Sequence, residues 1–118
     1  MKGDRTKLYD SASAFFDLGG SAVMYLATTA AIDACSQAAS QGLVVVRIEG
    51  GIWRAFTFEA RLDCIWDGAD PPLGGEAAAE NNRLAADFIR RQGETHNAFV
   101  LTAAPTTGYK HTSASTIP

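Results

Sequence analysis

The stretch IWRAFTFEARLDCIW, from Ile52 to Trp66, decides the fold because it carries the clearest periodicity in the chain. Seven of its eight even-numbered residues are apolar or small, whereas the odd positions include Thr57, Glu59 and Asp63. Alternation with a period of two residues is typical of a β-strand with one buried face. The pattern therefore predicts a long, half-buried strand whose last tryptophan packs in the core.

A second strand is predicted just before it, because residues 43–48 read LVVVRI and β-branched runs favour strands. Glu49-Gly50-Gly51 then predicts a hairpin loop, since glycine tolerates positive φ. A three-residue loop is favoured over a two-residue Gly50-Gly51 loop, because a slip of one residue moves every side chain to the other face. The three-residue loop pairs Ile48 with Ile52 and gathers one apolar face of Val44, Val46, Ile48, Ile52, Phe56 and Phe58.

The same register predicts an outer face that includes Val45, and it puts Arg47 opposite Trp53, where the geometry permits a cation–π contact. Outward tryptophans are enriched at binding surfaces. Together with Tyr25 and Thr29 from the preceding helix, these residues form the predicted interface. The alternative is that a second layer of the same domain covers the tryptophan.

That preceding helix is predicted from Ser21, as its N-cap, to Gln41, with Gly42 ending it. Between residues 22 and 41 the only charged side chain is Asp33, although a surface helix normally carries a charged face. The helix is therefore either sandwiched within the domain or part of an interface between copies. The sequence leaves both alternatives open.

The remaining elements are less strongly marked. Residues 10–18 favour a short helix, with a strand over 7–16 as the alternative. The helix predicted over 76–91 has acidic residues at its start and basic residues at its end, as the helix dipole prefers, and a further strand is predicted over 97–102. The buried stripe predicted for this helix is Ala77, Leu84, Ala85, Phe88 and Ile89.

The resulting order is α-α-β-β-α-β, which predicts an α+β fold. We expect a small antiparallel sheet of three to four strands with helices packed on at least one face. A chain of 118 residues fits one domain, predicted over residues 1–105. Residues 106–118 are small and polar, and they predict a partly flexible C-terminal tail.

The loop over residues 67–75 is the best candidate for a small-ligand site, formed with Trp66, Asp67, Asp70 and Glu76. Glycines at a helix N-terminus can offer backbone N–H groups to an anion. However, Leu73-Gly74-Gly75 matches neither a Walker A nor a dinucleotide motif. The three acids also lack the ligand spacing of a calcium loop. A connecting loop with solvated acids is favoured, and no metal or cofactor is predicted.

Catalysis is not indicated by the nucleophiles. Cys35 and Cys64 fall on predicted core faces, which favours buried free thiols over a pair with His96 or His111. The net charge of −3 argues against nucleic acid as the main partner. The N-terminus has no secretory pattern, and the longest uncharged stretch is short for a membrane span, so we expect a cytoplasmic protein without a membrane partner.

These observations predict a small, soluble, non-enzymatic binding or interaction protein. An accessory protein of bacterial type would fit, including one that neutralises or modulates a partner. The charge-poor helix and the outward tryptophan indicate more apolar surface than one such domain conceals, so self-association, with a dimer favoured, is also predicted. The alternative is a small-ligand-binding protein or enzyme with a pocket between sheet and helices near Trp66 and loop 67–75.

Overall fold

The structure is a computed structural model, and it describes residues 3–20 and 23–108. Five strands form one sheet in the order β1-β2-β5-β3-β4, with β1 and β2 parallel and the other neighbours antiparallel. Within these residues, no helix has the length and apolarity to cross a membrane. The elements are β1 (Leu8–Tyr9), α1 (Ala12–Asp17), β2 (Tyr25–Ala27), α2 (Thr28–Ala38), a 3₁₀ turn (Ala39–Gln41), β3 (Leu43–Arg54), β4 (Thr57–Asp67), α3 (Gly75–Gln92) and β5 (Ala98–Pro105).

The α+β class is confirmed, but the predicted strand number and element order are wrong in detail. Two short strands, β1 and β2, extend the sheet to five strands and change the order to β-α-β-α-β-β-α-β. The predicted tail begins at Thr106, which is still tied to the domain, since its N–H donates to the Gly42 carbonyl at 2.8 Å. Residues 109–118 lie outside the described residues.

One face of the sheet packs against the helices and forms the core. Helices α2 and α3 pack on each other and on the central strands, and α1 packs on α2. The strand residues that point toward the helices are fully or almost fully buried: Leu26, Ile48, Cys64, Phe99 and Leu101.

The β3–β4 hairpin turns at Ala55-Phe56 and not at Glu49-Gly50-Gly51, so the predicted loop is wrong. Strand β3 continues through both glycines to Arg54, and Ile48 pairs with Trp66 instead of Ile52. The two turn residues both have positive φ, 53° and 63°. Such two-residue turns usually contain Asn or Gly, so Ala-Phe gives no local signal that a hairpin turns there.

The two glycines are required by close packing instead. A Cβ at Gly50 would overlap the Cys64 sulfur and would lie 2.9 Å from the Phe99 ring. At Gly51 the register between β3 and β4 has shifted by three residues, because Glu49 pairs with Ile65 but Gly51 pairs with Ala60. Residues 61–64 therefore bulge opposite one residue of β3.

The loop predicted at residues 49–51 implies a continuous apolar face from Val44 to Phe58, and this face does not form. Phe56 lies in the turn and is 76% exposed. A second bulge, between Val45 and Arg47 in the pairing with β5, changes the alternation along β3. As a result Val45, predicted on the outer face, is fully buried in the core. Arg47 lies opposite Asp67, so its predicted position opposite Trp53 is wrong.

The predicted helix from Ser21 to Gln41 is shorter in the structure. Residues 25–27 form β2, which pairs with β1 and β5, so strand pairing outweighs local helix propensity there. Ser21 lies outside the described residues. Helix α2 buries a stripe of small side chains against α1 and α3, so the within-domain alternative accounts for them. In the N-terminal segment, both alternatives occur in turn, because β1 precedes α1.

The predicted third helix is confirmed, although its buried face is rotated. Ala77 is exposed and Leu84 is 45% exposed, whereas Asn81 and Asn82 are buried. The Asn82 Oδ1 accepts from the Val45 N–H at 2.9 Å, and its Nδ2 donates to the Leu43 carbonyl at 3.0 Å. The Asn81 Nδ2 donates to the Val45 carbonyl at 2.8 Å. These amides provide hydrogen-bond partners for β3 backbone groups that have none in β4, because β4 ends at Asp67.

Candidate interaction surface

The face of the sheet opposite the helices, here called the open face, is the candidate functional surface. Side chains alternate between the two faces of a strand, and directly paired residues share a face. Because Ile48 and Phe99 point into the core, their chain neighbours point to the open face. From the register, it carries Tyr25, Arg47, Glu49, Trp53, Phe58, Ile65, Asp67, Val100 and Thr102.

A row of small residues crosses the open face. Ala27 pairs with Ala98, Ala98 with Gly51, and Gly51 with Ala60, so the row spans four strands. A Cβ at Gly51 would overlap the Glu59 carbonyl oxygen of β4 and would lie 2.8 Å from the ring of Phe58, so the neighbouring backbone and this ring share the space that glycine leaves. The row therefore gives large side chains from neighbouring positions room to lie flat across the sheet.

Three aromatic side chains use that room and form the aromatic cluster: Tyr25, Trp53 and Phe58. The Tyr25 and Phe58 rings are stacked, with centroids 4.6 Å apart and planes 19° apart. The Tyr25 and Trp53 centroids are 5.6 Å apart. Trp53 and Phe58 are paired directly across β3 and β4. All three side chains are only half-buried, so the cluster offers a pre-ordered apolar surface with polar ring atoms at its edges.

Farther along the open face, three charged side chains form the acidic triad: Arg47, Glu49 and Asp67. The Arg47 Nη1 lies 2.6 Å from Asp67 Oδ1, and its Nε lies 3.1 Å from Glu49 Oε2. The hydrogen bond that the guanidinium donates to Glu49, and then the one it donates to Asp67, raises the pKa of Arg47. One cation between two carboxylates leaves the triad with a net negative charge, and both acids remain partly exposed to a partner.

The structure brings three of the five predicted interface residues to one surface. Tyr25, Trp53 and Arg47 share the open face, whereas Val45 is in the core and Thr29 is exposed in the first turn of α2. Sequence reasoning missed Phe58 and Glu49. A turn at residues 55–56 would have paired Phe58 with Trp53, but the turn contains no residue that signals it.

The four residues of the predicted ligand site do not converge. Trp66 is half-buried against the core, while its neighbour Asp67 points to the open face. Asp70 and Glu76 are exposed, in the loop and in the first turn of α3. Their role in ligand binding therefore stays a prediction.

Two shallow cavities lie elsewhere. One, of about 210 Å³, lies between α2 and α3, and the other, of about 250 Å³, adjoins the loop after α3. The first is lined by Cys35, Ser36, Ala39, Ala79, Asn82, Arg83, Ala86 and Arg90. The second is lined by Ile52, Gly93, Glu94, Thr95, His96 and Asn97.

Both cysteines are free and buried, as predicted. Burial raises the pKa of the Cys35 thiol to about 12. Burial, and then the nearby Asp63 carboxylate, also raises the pKa of Cys64. A nucleophilic cysteine needs the opposite shift, toward the thiolate, so these thiols are packing groups.

Comparison with known proteins identifies a family that includes this surface. A family model described as colicin-E5 Imm protein matches residues 24–104, which is more than half of the chain and includes the whole open face. The chain belongs to the colicin-E5 immunity protein family. Membership in this family supports the predicted role in protein interaction.

The chain is also similar to individual immunity proteins. The immunity protein CdiI of Burkholderia pseudomallei is 53% identical over 109 residues, which cover 92% of this chain and all of that protein. The colicin-E5 immunity protein in ColE9 of Escherichia coli is 35% identical over 80 residues, which cover 67% of this chain and 96% of the relative. Another E. coli relative, the colicin-E5 immunity protein, has the same identity and coverage.

Proposed function

We propose that this chain is an immunity protein that binds and neutralises one colicin-E5-like toxin in the cytoplasm of the cell that makes it. The observation that carries this function is the 53% identity to an immunity protein across that protein's full length. The family match extends over the same fold and includes every residue of the open face.

We further propose the open face as the toxin-binding surface. Protein interfaces typically have an apolar core enriched in aromatic residues and surrounded by a polar rim. The aromatic cluster supplies such a core, and Trp and Tyr are the residue types that most often dominate binding energy. The acidic triad supplies a polar flank with net negative charge, which favours a partner with basic groups at that position.

Binding measured by calorimetry tests both parts of the proposal. The probes are the toxin domain that CdiI of B. pseudomallei neutralises and the toxin domain of colicin E5. We expect the wild-type chain to bind one of them, and Trp53→Ala to weaken that binding by about 30-fold or more, as for a central interface residue. Thr29→Ala, an exposed change on α2, is the matched control and should leave the affinity unchanged.

Three outcomes would contradict the proposal. A folded wild-type chain that binds neither toxin overturns the function. Equal losses for Trp53→Ala and Thr29→Ala, or no loss for Trp53→Ala, overturn the choice of surface. Circular dichroism of each variant separates a lost contact from a lost fold.

The half-buried aromatic cluster also supports the predicted homo-oligomer, because two copies can pair through this surface. If two copies paired through the open face, toxin and self-association would exclude each other. Sedimentation with and without toxin distinguishes the arrangements. We expect one chain per toxin in the complex, whereas a complex that retains two paired copies on their open faces would contradict the proposed surface.

A further inference from the structure

The tip of the β3–β4 hairpin, Arg54–Thr57, exposes a large aromatic side chain. Phe56 is 76% exposed, and it is the one aromatic side chain in residues 3–20 and 23–108 that is mainly in solvent. It follows the aromatic cluster directly along the hairpin, because Trp53 and Phe58 flank the turn. The tip therefore places an exposed ring close along the chain to two members of the aromatic cluster.

The backbone of the tip is strained because the two turn residues have positive φ and neither is glycine. Ala55 and Phe56 are consecutive non-glycine residues in the left-handed region, with φ of 53° and 63°. Asn or Gly at these positions would form the same turn at lower cost. Strain of this kind is concentrated at binding sites and switch regions.

The base of the tip is held in place despite extending beyond β5. Strand β5 begins at Ala98, so it offers Trp53 no strand partner. Instead, the Asn97 side chain accepts a hydrogen bond from the Trp53 N–H at 2.7 Å and donates to the Trp53 carbonyl at 3.4 Å. An arm fixed in this way loses little conformational freedom on binding, which favours affinity.

The charge around the tip differs in sign from the acidic triad. Arg54 and Arg61 both pair with the Glu59 carboxylate, at 3.6 and 3.5 Å, so two cations share one anion. The Arg54 side chain is 67% exposed. A surface that accepts the tip should therefore combine an apolar pocket for the ring with acidic groups at its rim.

We propose that Phe56 is an anchor that inserts into an apolar pocket with an acidic rim on the toxin, with Arg54 facing the rim. This inference rests on the proposed function and adds the chemistry of the partner's pocket to it. It also makes the hairpin tip a determinant of which toxin is recognised.

A pair of glycine variants tests the anchor. Phe56→Gly removes the ring and relieves backbone strain, so it should bind the toxin at least 30-fold more weakly while its melting temperature is equal or higher. Ala55→Gly relieves strain at the adjacent position but keeps the ring, and its affinity should stay within threefold of wild type. Phe56→Leu should recover most of the lost affinity.

The charge of the rim is tested by reversal. Arg54→Glu should weaken binding at least tenfold, and more at low salt, whereas Arg91→Glu at the end of α3 makes the same charge change away from the open face and should leave the affinity within threefold. Toxin binding by the wild type combined with unchanged affinity of Phe56→Gly overturns the anchor alone. An equal loss in Ala55→Gly also overturns it, because turn flexibility would then explain both. Absence of toxin binding by the wild type overturns the proposed function itself.

Discussion

At Gly50 the sheet approaches the core so closely that one methyl group has no room. The Cys64 sulfur and the Phe99 ring occupy the space where a side chain would begin. At Gly51 the Glu59 carbonyl oxygen and the Phe58 ring occupy the corresponding space on the opposite face. Of these two adjacent glycines, Gly50 thus permits close packing in the core and Gly51 permits close packing on the open face.

Replacing Gly50 with alanine should lower the free energy of unfolding by about 1–3 kcal/mol, as overpacking of a core does. Chemical denaturation measures the change. Gly75→Ala is the control, because Gly75 is the first residue of α3 and nothing lies within 4 Å of the new methyl group. Cys64→Ala should partly rescue Gly50→Ala by removing the overlapping sulfur, and an undiminished stability of Gly50→Ala would contradict the packing explanation.

Cys35 makes stability depend on pH in the alkaline range. Its folded pKa is raised to about 12, above the ordinary value of 9.0, so the folded state holds the thiol proton more tightly. Its contribution is therefore complete below about pH 9 and is lost as pH rises toward 12. We expect Cys35→Ala to make the fall in unfolding free energy over this range less steep, as followed by urea titrations. Equal slopes would contradict this role.

Among the elements, those set by local sequence were predictable and those set by pairing were not. Helix α3 has dipole-matched charges at both ends, so its predicted bounds lie within one residue of the observed ones. By contrast, Tyr25-Leu26-Ala27 has no strand signal of its own and becomes β2 because β1 and β5 lie beside it. The hairpin was misplaced because Gly50-Gly51 resembles a turn, whereas Ala55-Phe56 does not.

The link between α3 and β3 depends on two buried amides that no hydrophobic pattern reveals. Asn82→Ala would leave the Val45 N–H and the Leu43 carbonyl without this partner, at a cost of about 1–3 kcal/mol for each group. Gln37→Ala replaces an exposed amide on α2 and should change stability by less than about 0.5 kcal/mol. Thermal unfolding compares the two variants. Similar melting temperatures for both would show that the Asn82 hydrogen bonds to β3 contribute nothing to stability.

For the whole molecule, the candidate surface was predictable only in part. An outward Trp53 followed from the sequence, and so did an interaction role. The grouping of Tyr25 with Phe58 did not, because it needs a five-stranded sheet and the row of small residues beneath the rings. The open face is thus a property of strand order, and strand order depends on contacts far apart in the chain.

The molecule also presents charges of opposite sign along the same hairpin. The acidic triad lies toward one end, and the two arginines that share Glu59 lie near the tip. Asp67→Asn should therefore slow toxin association and make it less sensitive to salt, since exposed interface charges act mainly on the association rate. Stopped-flow measurement at two salt concentrations tests this. An unchanged rate and salt dependence would argue against a role for the triad.

The central claim is that the open face covers the toxin, and the structure of the complex tests it most directly. We expect Tyr25, Trp53 and Phe58 to be buried beneath the toxin, while the exposed residues of α2 remain in solvent. A complex in which the toxin sits on α2 and α3 and leaves these three rings exposed would contradict the account.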